Sequence, residues 1–251
     1  MSGHSKWSSI KHKKGAADAK RGKLFSKLTR AIIVAARDGG PDPAANLALQ
    51  NAIEKARSNS MPKDNIDRAI ARGSGADADA DSFEQVVYEG YGPSGVAVIV
   101  EALTDNRNRT AADVRAAFAK HDGNLGGSGA VAWLFERRGV VLVDADRFDE
   151  DEVMLAAAEG GADDVERDGS SFRVTSAPES LTAVREAIEA AGIEVDSSEL
   201  TMVPKTTVEV AEENTAKKIL RLMDALEEND DVQDVYANFD IPERVLETVA
   251  G

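Results

Sequence analysis

Between about Ala16 and Arg37 the apolar residues Leu24, Leu28, Ala31, Ile32 and Ala35 recur at spacings of three and four, the stripe of an amphipathic helix. Gly39, Gly40 and Pro41 end it. A second helix is expected from Asp42 as N-cap and Pro43 at the first helical position to about Arg57, and a third after Pro62 that stops before Gly73. Ser74 to Asp81 has no periodicity and reads as a linker. Beyond it, Phe83 to Tyr88 and Val96 to Ala102 alternate as strands about the turn Gly90-Tyr91-Gly92-Pro93, and a helix from Thr110 to about Lys120 follows, with Thr110 and Asp113 as a capping box. A Gly-rich turn, Gly123 to Gly129, leads to an expected strand from Val131 to Phe135. Residues 139 to 204 then give strand, helix, two strands, helix and strand, the order of a split β-α-β sandwich. Val208 to Val210, a helix with Ile219, Leu220, Met223 and Leu226 on one face, and a strand from Val235 to Ile241 close the pattern.

These elements predict an α+β protein of three domains: an arm and three-helix domain over residues 1–75, an α+β domain of 82–136 plus 206–241, and an α+β domain of 137–205 inserted in it, the α+β domains being ferredoxin-like. At 251 residues the chain is long enough for several cores. Its composition, 42% hydrophobic and 30% charged, is that of a globular protein. The absence of cysteine removes disulfides, thiolate nucleophiles and Cys-ligated metal sites. No apolar run approaches the ~20 residues of a membrane span and the start lacks an apolar signal core, so a cytoplasmic protein with no membrane partner is expected. The basic, acid-poor start also resembles a mitochondrial transit peptide, but its charge continues into a patterned helix.

Charge changes the picture. The net charge is −15, yet residues 1–75 hold 15 Lys/Arg against 6 Asp/Glu and residues 76–251 hold 15 against 39. Screening acts over ~8 Å, so the two regions present separate fields. At about 100° per residue Lys20, Lys23, Lys27, Arg30 and Arg37 share a sector of the first helix beside its apolar stripe, forming a basic ridge. Ahead of it Lys6, Lys11, His12, Lys13 and Lys14 form a basic arm, and Arg21 adds to the cluster. Such a cluster suits backbone-directed nucleic-acid binding, because each neutralised phosphate releases condensed counterions. Trp7 suits base stacking or docking on its own domain. Arg107 and Arg109 precede a helix N-terminus, where they either contact phosphate or pair with nearby acids.

Other chemistry has little to work with. His4 and His12 have no recognised ligand spacing, and no metal or other cofactor is expected. The Gly123 to Gly129 run precedes a strand and lacks a G-K-[ST] ending, so it reads as a tight turn and not a nucleotide loop. No Ser/Asp arrangement frames His121, and the acidic runs Asp149 to Glu152 and Glu227 to Asp231 lie at helix ends, where solvation is the default. The expectation is a non-enzyme with no catalytic residue and no small-molecule substrate.

The segments Gly3 to Trp7, Ile10 to Lys14, Asp18 to Phe25, Met61 to Ile66, Tyr88 to Pro93, Leu103 to Thr110 (LTDNRNRT) and Gly123 to Gly126 resemble the signature of the YebC family. The resemblance implies an N-terminal helical domain followed by two α+β domains, the last inserted within the second. It implies a probable DNA-binding transcriptional regulator, while mitochondrial relatives are regarded as translational activators, which brings in ribosomal or transfer RNA and the ribosome as the alternative partners. Asn46-Leu47-Ala48-Leu49-Gln50 departs from the Asn-Pro-Arg-Leu-Arg often found in relatives, so the second helix lacks basic residues there.

Overall fold

The structure, a computed structural model, describes residues 18–75 and 83–250. In chain order its elements are α1 (Asp18–Gly39), α2 (Leu47–Ser58), α3 (Lys63–Ser74), β1 (Glu84–Tyr91), β2 (Ala97–Thr104), α4 (Arg107–Lys120), β3 (Asn124–Leu125), β4 (Phe135–Asp144), α5 (Glu150–Glu159), β5 (Asp164–Asp168), β6 (Ser171–Ser176), α6 (Leu181–Ala190), β7 (Ser197–Pro204), β8 (Val208–Glu209), α7 (Glu213–Glu227), β9 (Val232–Ala237), β10 (Phe239–Asp240) and α8 (Glu243–Ala250). They divide into two compact units. One takes in 18–75, 83–132, Val210–Ala237 and 241–250, and the other takes in Trp133–Glu209 with Asn238–Asp240.

In the first unit the buried face of α1 is rotated from the expected stripe: Leu28 and Ile32 are joined by Ile33 and Ala36 against Leu49, Ile53 and Ala56 of α2 and Ile66 and Ala69 of α3, while Ala31 and Ala35 are half-buried and Leu24 is exposed. The third helix does not stop before Gly73. A Cβ there would lie 2.3 Å from the carbonyl oxygen of Ile33, so α1 and α3 approach backbone to backbone and the glycine sits inside the helix.

The second helix starts four residues later than Pro43 suggested, at Leu47, with Asn46 as N-cap. Asp42 caps only a local turn, accepting the Ala44 N–H at 3.0 Å. Asn46 wins because it works on both helix ends at once. Its Oδ1 accepts the Leu49 N–H at 3.1 Å, and its Nδ2 donates to the carbonyls of Ala35 at 2.7 Å and Gly40 at 2.8 Å. An aspartate has no N–H with which to close the end of α1.

A four-stranded antiparallel sheet, β3-β1-β2-β9, supports the rest of this unit. The helices α4 and α7 contribute Val114 and Phe118, and Ile219, Met223 and Leu226, all buried. The fourth helix also starts earlier than expected, at Arg107, because Asn106 and not Thr110 supplies the cap. The Asn106 side chain accepts the Arg109 N–H at 3.1 Å, and the Thr110 hydroxyl is used elsewhere.

The Gly-rich turn is organised from β1. Glu89 is 6% exposed, and its carboxylate accepts the N–H groups of Gly129 at 2.6 Å, Val131 at 2.8 Å and Ala132 at 2.7 Å. With the donors of Val131 and Ala132 pointing at a side chain, no ladder forms there. The strand expected over 131–135 is instead a 3-10 turn at Ala132–Leu134, and β4 begins at Phe135.

The second unit carries the split β-α-β pattern expected over 139–204. Its antiparallel sheet runs β5-β6-β4-β7, with α5 and α6 packed on one face through Val153, Ala156, Ala157, Val184 and Ile188 against Val141, Val143, Phe172 and Val174. Two short strands, β8 and β10, pair in parallel. The fold is thus α+β, with three N-terminal helices ahead of antiparallel sheets.

Burial is the largest influence on the Glu89 carboxyl and pushes its pKa up, but the three backbone donors prevail and hold it below the ordinary glutamate value. A depressed native pKa means that its contribution is complete above the unfolded-state value and is lost as pH falls through the native one. Glu89→Gln should therefore cost about 2–3 kcal/mol at neutral pH, since an amide N–H would face backbone N–H groups. In urea denaturation the wild-type advantage over this variant should shrink on acidification.

Candidate nucleic-acid interface

The basic ridge of α1 is only partly turned to solvent. Lys23, Lys27 and Arg30 meet the C-terminal end of α7, where the last carbonyls have no helical partner and the macrodipole favours cations. Lys27 Nζ donates to the Glu227 carbonyl at 2.6 Å and Lys23 Nζ to that of Glu228 at 3.4 Å, with the Asp230 carboxylate 3.6 Å away. Arg30 Nη1 donates to the Asp230 carbonyl at 2.7 Å and to Asp231 Oδ1 at 3.0 Å, and its guanidinium stacks 5.2 Å from the centre of the Phe83 ring. Arg37 bonds Asp38 at 2.8 Å and the Phe83 carbonyl at 3.1 Å.

Asp231 is the centre of this arrangement. It is 5% exposed, and its Oδ2 accepts from Arg109 Nη2 at 2.6 Å, from the Thr110 hydroxyl at 2.8 Å and from the Thr104 hydroxyl at 3.2 Å. Its carbonyl accepts the Leu103 N–H at 2.8 Å. A break in register between Glu101 and Ala102, where β2 pairs β9, brings Asp231 beside the end of β2. The LTDNRNRT segment is explained by this contact: Thr104 closes the strand, Asn106 caps α4, and Arg109 and Thr110 bind one carboxylate. Burial, the largest influence, raises the pKa of Asp231, yet the bonds from Arg109 and Thr110 and the charges of Arg109 and Arg30 hold it below the usual value. The same bond keeps Arg109 firmly charged, its pKa pushed up.

The sequence-predicted residues are therefore distributed unequally. Arg109 pairs with acids, Asp231 and Asp105, the latter at 2.8 Å, whereas Arg107 is exposed and 3.6 Å from Glu84. Lys6, Trp7, Lys11, His12, Lys13 and Lys14 lie outside the described residues, as do the side chains of Lys20 and Arg21, whose backbone belongs to the first turn of α1. Among the remaining cations of the helical part, Arg57 and Lys63 are exposed, and Lys55 pairs with Asp234 at 2.6 Å. Sequence reasoning missed Asp231, Glu89 and the use of the 227–231 run; the one available signal was an acidic stretch at a helix end, facing nothing in sequence. In the second unit an open cleft of about 270 Å³ has charges that largely cancel, Arg138 with Asp163 and Glu136, and Arg173 with Glu166.

Truncating Asp231 should destabilise more than truncating any one partner, because it leaves two guanidinium groups and two hydroxyls without their acceptor. For Asp231→Ala a loss of about 3 kcal/mol is expected, with Arg30→Ala nearer 1 kcal/mol because that arginine keeps solvent access. A double-mutant cycle between Arg30 and Asp231 in urea denaturation should give a coupling above about 0.5 kcal/mol.

Residues 5–76 match the family model described as the TACO1/YebC protein N-terminal domain, and residues 83–239 match that of the TACO1/YebC second and third domain. A probable transcriptional regulatory protein of Rubrobacter xylanophilus is 61% identical over 251 residues, covering 100% of both chains. One of the same description from Persephonella marina is 54% identical, again over 100% of each. The crystal structure of a conserved hypothetical protein from Aquifex aeolicus superposes with a TM-score of 0.80 at 50% identity, covering 90% of this chain and 93% of that one. No described helix is long and apolar enough to cross a membrane. Matched by family models over nearly its whole length and by relatives end to end, the chain belongs to the TACO1/YebC family.

Proposed function

We propose that this protein is a non-enzymatic, nucleic-acid-binding regulator, and that it acts on duplex DNA as a transcriptional regulator. The observation that carries the reading is the partition of charge, 15 Lys/Arg to 6 Asp/Glu in residues 1–75 against 15 to 39 in the rest. A polyanion approaching such a chain is attracted at one end and repelled elsewhere. The relatives named as probable transcriptional regulatory proteins support the choice of DNA. Lys6, Lys11, Lys13, Lys14, Lys20 and Arg21 are the proposed principal phosphate contacts, with His12 assisting and Trp7 stacking on a base; Lys23, Lys27, Arg30, Arg107 and Arg109 are proposed as further contacts that also serve internal ones.

A second reading, a translation factor gripping ribosomal or transfer RNA, is favoured by one structural observation. Operator recognition normally uses a helix that offers Arg, Asn or Gln to base edges. Three of the ridge cations are bonded to the end of α7. The third helix interleaves its exposed Lys63, Arg68 and Arg72 with Asp64 and Asp67, so a groove would meet carboxylates beside the cations. A grip on phosphates alone suits structured RNA.

The quadruple variant Lys6→Ala, Lys11→Ala, Lys13→Ala, Lys14→Ala should lose on the order of 100-fold in affinity for duplex and structured RNA alike at moderate salt, and its log–log salt slope should fall by about 3. An unchanged slope would sink the proposal. Sequencing the nucleic acid cross-linked to the wild-type protein in cells then separates the readings: enrichment of promoter fragments supports the regulator on DNA, and enrichment of ribosomal or transfer RNA supports the translation factor.

A further inference from the structure

The acidic part of the chain contains one concentrated exception to its charge. After α4 the chain turns through His121 and Asp122, and this turn faces the middle of α7. Lys218 Nζ lies 2.7 Å from the Asp122 carboxylate. The His121 imidazole is held below its usual pKa first by burial and then by the positive charges of Lys120 and Arg221, with Asp122 opposing them. Lys120, His121, Lys218 and Arg221 thus gather around one turn, with Asp122 as the carboxylate bound among them, and Lys217 stands beside Lys218 and one helical turn before Arg221 on α7. The side chains of Lys120, Lys217 and Arg221 form no ion pair or hydrogen bond with any described residue. Glu213, one turn ahead of Lys217, is not paired with it.

Folding gains little from this placement. Lys217 and Lys218 lie in the first half of α7, toward the end where the macrodipole disfavours cations. Lys217 and Lys218 stand four and three residues before Arg221, spacings at which like charges cost a few tenths of a kcal/mol, about 0.2–0.5 per pair. Local choices that oppose stability mark functional positions. The turn is also fixed before any ligand arrives: the N–H groups of His121 and Gly123 donate to the Phe118 carbonyl at 3.1 Å and 2.9 Å. Cations held on such a frame lose less entropy on binding.

We propose that Lys120, His121, Lys217 and Arg221 form a second phosphate-contacting patch, which grips the backbone of the nucleic acid that the N-terminal segment binds. The proposal rests on the nucleic-acid reading above. A narrow strand of phosphates suits the patch better than a flat anionic surface does, because the surrounding residues are acidic and repel an extended sheet of charge. A membrane surface would also demand large apolar side chains beside the cations, and the exposed ones among the described residues, Leu24, Leu47, Val87, Trp133, Met154 and Leu155, lie on neither α4 nor α7. Arg221 offers a planar fork to phosphate oxygens, the two lysines act as point charges, and His121 gains a proton as the phosphates approach.

The test uses the full chain and two probes, a fluorescent RNA hairpin and a duplex DNA of equal charge, titrated over a range of potassium chloride. The triple variant Lys120→Ala, Lys217→Ala, Arg221→Ala should bind on the order of 10-fold more weakly, with a salt slope lower by about 2. The charge-preserving variant Lys120→Arg, Lys217→Arg, Arg221→Lys should keep the wild-type slope, and retained cooperative unfolding of both shows that the fold is intact. A wild-type slope in the triple variant, alongside a reduced slope in the arm variant, overturns the patch alone; wild-type slopes in both variants overturn the parent reading. As an independent readout, the His121 imidazole, assigned by NMR with His121→Gln, should titrate about one unit higher once the RNA hairpin is added. An unmoved titration also overturns the proposal.

Discussion

The carboxylate of Asp231 is the constraint on which the first unit depends. A buried charge is tolerated only with enough donors around it, and here the donors come from α1, from the end of β2 and from the first turn of α4. Each of those elements has its position defined by the need to reach the same two oxygens. The register break between β2 and β9 belongs to the same requirement, since it brings Asp231 level with Leu103 and its carboxylate within reach of the Thr104 hydroxyl. Segments far apart in sequence are thereby tied at one point, and the helical part is joined to the sheet and its helices by charge and hydrogen bonds.

This arrangement revises the meaning of the basic ridge. A helical wheel shows that Lys23, Lys27 and Arg30 share a face with one another, but it says nothing about what that face meets. In the structure it meets a helix C-terminus, a site where unsatisfied carbonyls make cations welcome without any external ligand. The acidic run 227–231, which local reasoning assigns to solvent, is the other half of that contact. Charge complementarity within one chain and charge complementarity toward a polyanion have the same sequence signature.

What was legible in the sequence followed the range of the forces involved. The helix α1, the β-α-β order of 139–204 and the turn at Gly123 to Gly129 are consequences of local periodicity and turn chemistry, and the structure has each of them, with the buried face of α1 rotated toward Ile33 and Ala36. Helix starts were less legible because several residues near each start could cap it. Asp42 and Thr110 have good capping side chains, yet Asn46 and Asn106 hold the positions, Asn46 because α1 needs its amide and Asn106 because Asp231 needs the Thr110 hydroxyl. The roles of Glu89 and Asp231 were out of reach altogether. Their partners lie about 40 and more than 100 residues away, and a carboxylate in a strand or after a helix carries no mark of burial.

Glu89 gives the Gly-rich turn a further property. Runs of glycine near successive backbone N–H groups form concave nests that attract anions, and in other folds the anion is a nucleotide phosphate. Here the anion is covalently attached to the neighbouring strand and already seated on three of those N–H groups. A tethered occupant meets its nest as an intramolecular reaction, at an effective concentration far above that of any free phosphate in solution. The loop is thus a receptor that is born saturated, and the mutual attraction of nest and anion serves to set the shape of the turn.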